Sequence, residues 1–158
     1  ATSAIDNPAI FSKLVDYSFS DDKKLAFHAS WILSKVCDKF PDFIYPYLPG
    51  IIEALKKLDN ESEKRSFLRI ISFIDFQKIS NKHHGILVDY CFSELKSGFS
   101  AIAIKAYSME ILYRLALIYP ELANELSATI NMLQGEGPAG IVARGRIILK
   151  RLAEISGN

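Results

Sequence analysis

Ile111-Leu112-Tyr113-Arg114-Leu115-Ala116 recurs in kind as Ile148-Leu149-Lys150-Arg151-Leu152-Ala153. Ile32-Leu33-Ser34-Lys35-Val36-Cys37 anticipates both. Around these stretches the chain repeats about every forty residues: Ala26-Phe27, Ser66-Phe67 and Ala106-Tyr107 share that spacing, as do Trp31, Ile71 and Ile111. Within a copy, Ala26, Ala29, Leu33, Val36 and Phe40 follow the i, i+3, i+4 rule of an amphipathic helix. A second helical pattern follows each first one, and these match as Leu48/Val88, Ile52/Phe92 and Leu55/Leu95. A helical pair repeated at this length predicts an all-α fold, a short right-handed α-solenoid of antiparallel helical pairs with about eight helices. A coiled coil is the competing account of so much helix. It fails because prolines and glycines interrupt the pattern and no heptad run is sustained.

The boundaries follow from caps and breakers. Asn7 caps a first helix that opens on Pro8, where a missing N–H is harmless. The second helix runs from Asp21 to Lys39 and stops at Phe40-Pro41. Pro41, Pro46 and Pro49 forbid a regular helix between them, so a short helical turn is expected there, then a helix over 49–58. Asn60-x-x-Glu63 reads as a capping box opening a fourth helix that ends near Asp75. The fifth covers 81–97, with Gly98 at its C′ position. The sixth ends at Tyr119-Pro120 and the seventh spans 120–133. Gln134-Gly135-Glu136-Gly137-Pro138 is a loop, and the last helix covers 139–155. The domain reading is a single unit over 1–158, with a capping helix at 8–18, repeats at 21–59, 60–98 and 100–134, and a final helix at 139–155.

These features resemble HEAT repeats, of the HEAT/armadillo-like class. Ala26 to Leu58 carries the resemblance through Trp31-Ile32-Leu33-Ser34-Lys35-Val36 and through Pro46-Tyr47-Leu48-Pro49 at the opening of the second helix. Ile104 to Leu133 is similar, with Tyr119-Pro120-Glu121-Leu122 at the bend. The middle copy departs: it lacks the inter-helix proline and holds Gly85 in its second helix. The resemblance implies a non-catalytic binding scaffold. First helices would form a convex side and second helices a concave side that receives a protein or peptide. It also leaves two alternatives open. One is a nucleic-acid binder or a HEAT-like DNA glycosylase; the other is a structural or oligomerising unit.

Composition narrows the classes. The 158 residues carry 19 basic and 18 acidic side chains, a net charge of +1. A dedicated nucleic-acid binder usually has a strongly basic domain, so this balance counts against one. The hydrophobic fraction is 49%, enough for a sizeable core. Cys37 and Cys91 stand far apart without CxxC spacing, which predicts buried free thiols in a cytoplasmic setting. No apolar run is long enough to span a membrane, and Ala1-Thr2-Ser3-Ala4 lacks the features of a signal peptide.

No catalytic set, metal site or cofactor motif is read. Gly135-Glu136-Gly137-Pro138 has neither the lysine nor the strand of a phosphate loop. His83 and His84 diverge by about 100° on a helix and so cannot readily share a metal; they are expected near the helix start, partly exposed. His28 is given a structural role, and Phe40, Phe43, Tyr45 and Tyr47 fill space between the first repeats. Trp31, by its equivalence with Ile71 and Ile111, is expected to be buried between repeats. Gly145 falls on the inner stripe Ile141, Gly145, Ile148, Leu152, which predicts a close helix contact. The candidate partner-binding residues are cations recurring near the starts of first helices: Lys24, Lys64, Arg65, Lys105, Arg144 and Arg146, with Lys150 and Arg151 further along the last helix. Stacked equivalent positions would form a basic ridge for an acidic partner. Asp21, Asp22, Glu61 and Glu63 temper it at the earlier positions, whereas the last helix has only Glu154 nearby.

Overall fold

Pro8 opens the first helix of the computed structural model, which describes residues 8–135 and 137–156. That helix, α1, is Pro8–Ser18. Asn7, Ala1-Thr2-Ser3-Ala4 and Glu136 lie outside the described residues. Helix α2, Lys23–Lys39, starts where the Asp22 carboxylate accepts the N–H groups of Lys24 and Leu25 at 3.1 and 3.2 Å. A cap of this kind contributes about 1 kcal/mol. At its far end Phe40 leaves the helical region, with φ −131° and ψ 65°. Pro41 demands this, because its ring disfavours a helical residue before it.

The three prolines that follow are absorbed by a change of helix type. Pro41–Tyr47 is a 3-10 helix, α3 is Leu48–Ala54, and Leu55–Lys57 is a further 3-10 turn. Helix α4, Glu61–Ile71, is capped by the Asn60 side chain, which accepts from Ser62 N at 2.8 Å and Glu63 N at 3.2 Å. Glu63 is buried, and desolvation holds its carboxyl above the usual carboxylate range. Helix α4 stops short of the expected Asp75. The chain tightens at Phe73 and Ile74, which bond to carbonyls three residues back, and the 3-10 turn Phe76–Lys78 follows.

Helix α5 is Asn81–Lys96 and α6 is Ile102–Ile118. No described glycine has positive φ, so Gly98 does not make the left-handed cap expected after α5. Lys105 instead donates its Nζ to the Leu95 carbonyl at 3.3 Å, satisfying one of the orphan acceptors at that helix end. Helix α7 is Leu122–Gln134 and α8 is Ala139–Ser156. Among the described residues there are eight α-helices and no strand, so the chain is all-α.

The helices gather into two compact units, divided between His83 and His84. In the first unit α2 packs against α1 and α4. Its core is built from Leu33, Ile44, Leu48, Ile51, Ile52, Leu55, Phe67, Leu68 and Ile71, all fully buried. Each such side chain contributes about 1.5–3 kcal/mol of transfer free energy. The aromatic run is not buried between repeats: Phe43 is exposed and Phe40, Tyr45 and Tyr47 are half-buried, with Phe43 and Tyr47 set against Phe11 of α1 at 5.7 and 5.6 Å between ring centroids. In the second unit α8 packs against α6 and α7. Its core includes Leu87, Leu95, Ile104, Ile111, Leu115, Ile130 and Ile148.

Ile71 of α4 and Ile111 of α6, forty residues apart, are both fully buried. Trp31 departs from that pattern. It is 52% exposed, not buried between repeats, since it sits outside the α2 core row of Ala26, Ala29, Leu33 and Val36. Gly145 does lie in a tight contact: a Cβ there would meet Gln134 Oε1 at 2.6 Å and Ile130 Cγ2 at 2.9 Å.

Candidate functional site

The most developed surface feature of the first unit begins with an ion pair. Arg69, on α4, donates from Nη1 to Asp38 Oδ1 at 2.9 Å and from Nη2 to Oδ2 at 3.0 Å. The same Nη1 reaches Ser34 Oγ at 2.8 Å. Ser34 and Asp38 sit one turn apart on α2, so the guanidinium is held as a fork. Its flat face lies 5.6 Å from the Phe73 ring centroid. Phe73 is therefore positioned although it is 66% exposed.

Beside Phe73 opens an apolar cleft of about 300 Å³, lined by Cys37, Pro41, Ile44, Ile70, Phe73 and Ile74, with Asp38 at its polar edge. Trp31 lies on the same face of α2 as Ser34 and Asp38, at i, i+3 and i+7. Lys35 holds its ammonium 5.8 Å from the Trp31 ring centroid. The sequence reading misses the exposure of Trp31 because its spacing matches it to the buried Ile71 and Ile111; Phe73 and the cleft carry no local signal, because the walls come from separate segments. The helical wheel of α2 alone points Trp31 away from the core.

The sequence-derived cations fall in both units. In the first, Lys24 and Arg65 are exposed and Lys64 is half-buried. In the second, Lys105 is occupied with the Leu95 carbonyl. Arg144 and Arg151 converge on one carboxylate, Glu110 of α6, at 4.0 and 3.0 Å. Arg151 also lies 5.5 Å from the Tyr113 ring centroid. The acid that pairs with the last helix is thus Glu110; it comes from another helix, and no local pattern announces it. Arg146 and Lys150 are exposed on the opposite side of α8. A second apolar hollow, of about 430 Å³, opens in this unit beside Leu95, Ile102, Met132 and Leu133, and Phe99 next to it is 97% exposed.

The histidines are buried, not partly exposed. His83 bonds through Nδ1 to Ser80 Oγ at 2.7 Å and through Nε2 to Glu53 Oε2 at 2.8 Å. His84 Nδ1 lies 2.7 Å from the Tyr119 hydroxyl. Each ring is thus committed to its own partners, which is a packing role. His28 is exposed, with its ring 5.3 Å from that of Phe27. Cys37 and Cys91 are buried free thiols, and desolvation pushes both up to about 12. Asp38 adds to the effect on Cys37; a hydrogen bond with Ser108 partly offsets it on Cys91. Among the described residues no group of three or more His, Cys, Asp or Glu is placed to hold a metal ion. No described helix is long and apolar enough to cross a membrane.

No curated protein and no solved structure matches this sequence. The pattern of the HEAT repeat domain, by contrast, matches residues 1–152. With an all-α core and that match over nearly its whole length, the chain belongs to the HEAT repeat family.

Proposed function

We propose that this protein is a non-catalytic binding module that holds another protein through exposed surfaces on its helices. HEAT repeats generally mediate protein–protein interaction or scaffolding. The observation that carries the reading here is Phe73, a large aromatic side chain held in place by Arg69 yet 66% exposed at the mouth of an apolar cleft. Positioned exposed aromatics beside a pocket are the usual anchors of interfaces. Lys24, Lys64, Arg65, Lys105, Arg144, Arg146, Lys150 and Arg151 remain the candidate cations, with Arg146 and Lys150 the pair left outside the Glu110 cluster. Charges of this kind mainly steer encounter with an acidic partner. A cytoplasmic setting is the one in which two buried cysteines without disulfide spacing are ordinary.

The test is affinity capture from the native cell with wild type, Trp31→Ala/Phe73→Ala and Arg146→Glu/Lys150→Glu, identified by mass spectrometry. A protein retained by wild type and lost with either variant supports the reading. Retention of nucleic acid in place of protein, removed by nuclease, overturns it.

A further inference from the structure

We infer that a patch of the second unit, the hollow beside α7 together with Phe99, takes a second copy of this chain, with the Phe99 ring of each copy seated in the hollow of the other. The patch is separate from the Trp31 and Phe73 face, so the inference stands or falls apart from the protein-binding reading above.

The knob is Phe99, which is 97% exposed. The connection between α5 and α6 holds it out. Its backbone N–H donates to Ser97 Oγ at 3.2 Å, and the next residue, Ser100, donates its hydroxyl to the Glu94 carboxylate. Fixed on both sides, this segment loses little freedom on binding. Phe99 adjoins further exposed apolar surface, with Met132 at 79% and Ile102 at 48%. Contiguous apolar surface of this kind marks an interaction site.

The hole is the hollow walled by Leu95, Ile102, Met132, Leu133 and Ile141. An apolar cavity of about 150 Å³ is enough to hold benzene. This hollow, at about 430 Å³, admits a phenyl ring. Each polar side chain in its lining already has a partner within the chain. Lys105 Nζ donates to the Leu95 carbonyl at 3.3 Å, Thr129 Oγ1 to the Glu125 carbonyl at 2.8 Å, and Lys96 Nζ to Glu125 Oε1 at 3.4 Å. Ser97 and Ser100 are engaged as the pins of Phe99. That favours an apolar side chain over a polar ligand as the guest.

The charges around the hollow favour a copy of the chain over a partner of one sign. A rim of one sign repels its own copy. Here Lys96 and Lys105 stand with Glu94 and Glu125, and the Lys96–Glu125 pair is exposed at 58% and 54% of its side chains. Across a two-fold axis, cation and carboxylate of one copy can face carboxylate and cation of the other. Knob and hole also lie on one patch, as an isologous interface requires. Each seated Phe99 buries about 150–250 Å². Two of them fall well below the roughly 1,200 Å² of a standard interface, so the dimer is weak and reversible.

Sedimentation velocity of the full chain, run from micromolar to millimolar concentration, tests this. Wild type should pass reversibly from monomer to dimer and no further. Phe99→Ser removes the knob and Met132→Glu spoils the lip of the hole; each should weaken the dimer at least about tenfold. Both positions are exposed, so circular-dichroism melts of the variants should match wild type. Mixing the two variants should restore part of the association, because the intact knob of Met132→Glu fits the intact hole of Phe99→Ser. A chain that stays monomeric at millimolar concentration overturns the inference, as does association that Phe99→Ser leaves unchanged. Variants that fail to complement each other reduce the patch to unspecific apolar contact and overturn it too. Growth beyond the dimer means a head-to-tail contact and overturns the reciprocal seating. A monomeric wild type whose Phe99→Ser variant loses a protein in the affinity capture gives the patch to that protein, not to a second copy.

Discussion

Glu53 Oε2 and His83 Nε2 stand 2.8 Å apart, and this bond ties α3 to the first turn of α5. Ser80, just before α5, accepts the His83 backbone N–H at 3.3 Å, and the same hydroxyl lies 2.7 Å from His83 Nδ1. A carboxylate only accepts, so the bond to Glu53 uses a proton on Nε2. The Ser80 hydroxyl thus serves as the helix cap and the imidazole as an interhelix clamp. The arrangement has the order acid, histidine, serine, but the serine oxygen is already engaged as a cap. Its work is structural.

The Glu53 carboxyl is lowered from the usual range chiefly by its hydrogen bond with His83; desolvation opposes this, and the Lys82 charge adds a smaller lowering effect. A carboxylate lowered on folding stabilises the fold above its unfolded value. It loses that contribution as pH falls through the folded one. Glu53→Gln should therefore melt earlier than wild type at neutral pH, and the gap should close as pH drops below the usual carboxylate range. Thermal melts across that range decide it. A gap that stays constant at low pH means the carboxylate does not act through its charge.

Gly145 gives the sharpest packing test. Alanine normally stabilises a helix interior over glycine by about 1 kcal/mol. Here its Cβ would come within 2.9 Å of Ile130, a fully buried branched side chain, and 2.6 Å of Gln134 Oε1. The amide end can swing away; Ile130 has little room. Gly145→Ala should fail to stabilise, and Gly145→Leu should cost about 1–3 kcal/mol by overpacking. Denaturant melts read both, and a stabilised alanine variant means the α7–α8 contact relaxes freely.

Much of this was legible in the sequence, and the rest failed for identifiable reasons. The helices themselves, the Asn60 cap and the tight site at Gly145 follow from local patterns: an amphipathic period, a cap residue, a glycine on an inner stripe. Trp31 was misread because one residue of register turns a helix by about 100°. The stripe Ala26, Ala29, Leu33, Val36 already excluded Trp31 from the core. Glu110 beneath Arg144 and Arg151, Asp38 beneath Arg69, and Glu53 beside His83 were not legible. Each joins separate helices, and their spacing carries no local signal.

Exposure at Trp31 reverses the stability expectation that burial would bring. Trp31→Ala should change stability by less than about 1 kcal/mol, as for other surface changes. Phe67→Ala makes the contrast: that ring is fully buried, stacked 5.0 Å from Phe19, and its loss should cost about 3–5 kcal/mol. Urea melts of the two variants, run side by side, test the pair. A Trp31→Ala loss as large as that of Phe67→Ala means the indole is packed in solution.

The thiols should be inert while the protein is folded. Burial pushes both Cys37 and Cys91 up to about 12, so almost no thiolate exists at neutral pH, and thiolate is the reacting species. Ellman's reagent should label both cysteines at once in guanidinium and neither promptly under native conditions. Cys37, which lines the cleft, should be the first to react as the fold loosens. Rapid native labelling of Cys91 means the second unit opens far more readily than its packing implies.

The cations of α8 divide into two kinds with separable readouts. Arg151 is engaged with Glu110 at 3.0 Å and with the Tyr113 ring, so Arg151→Glu sets two carboxylates against each other and removes a packed guanidinium. That variant should lose about 1 kcal/mol of stability whatever it does to binding. Arg146 and Lys150 lie on the opposite, exposed side. Arg146→Glu/Lys150→Glu should melt as wild type does, yet associate more slowly with an acidic partner retained in the affinity capture. Because such steering is screened over about 8 Å at physiological salt, the difference in rate should shrink as salt is raised. Stopped-flow association over a salt series measures this directly. A rate unchanged by the double reversal assigns Arg146 and Lys150 to solvent, and a rate that falls only with Arg151→Glu traces the loss to the fold.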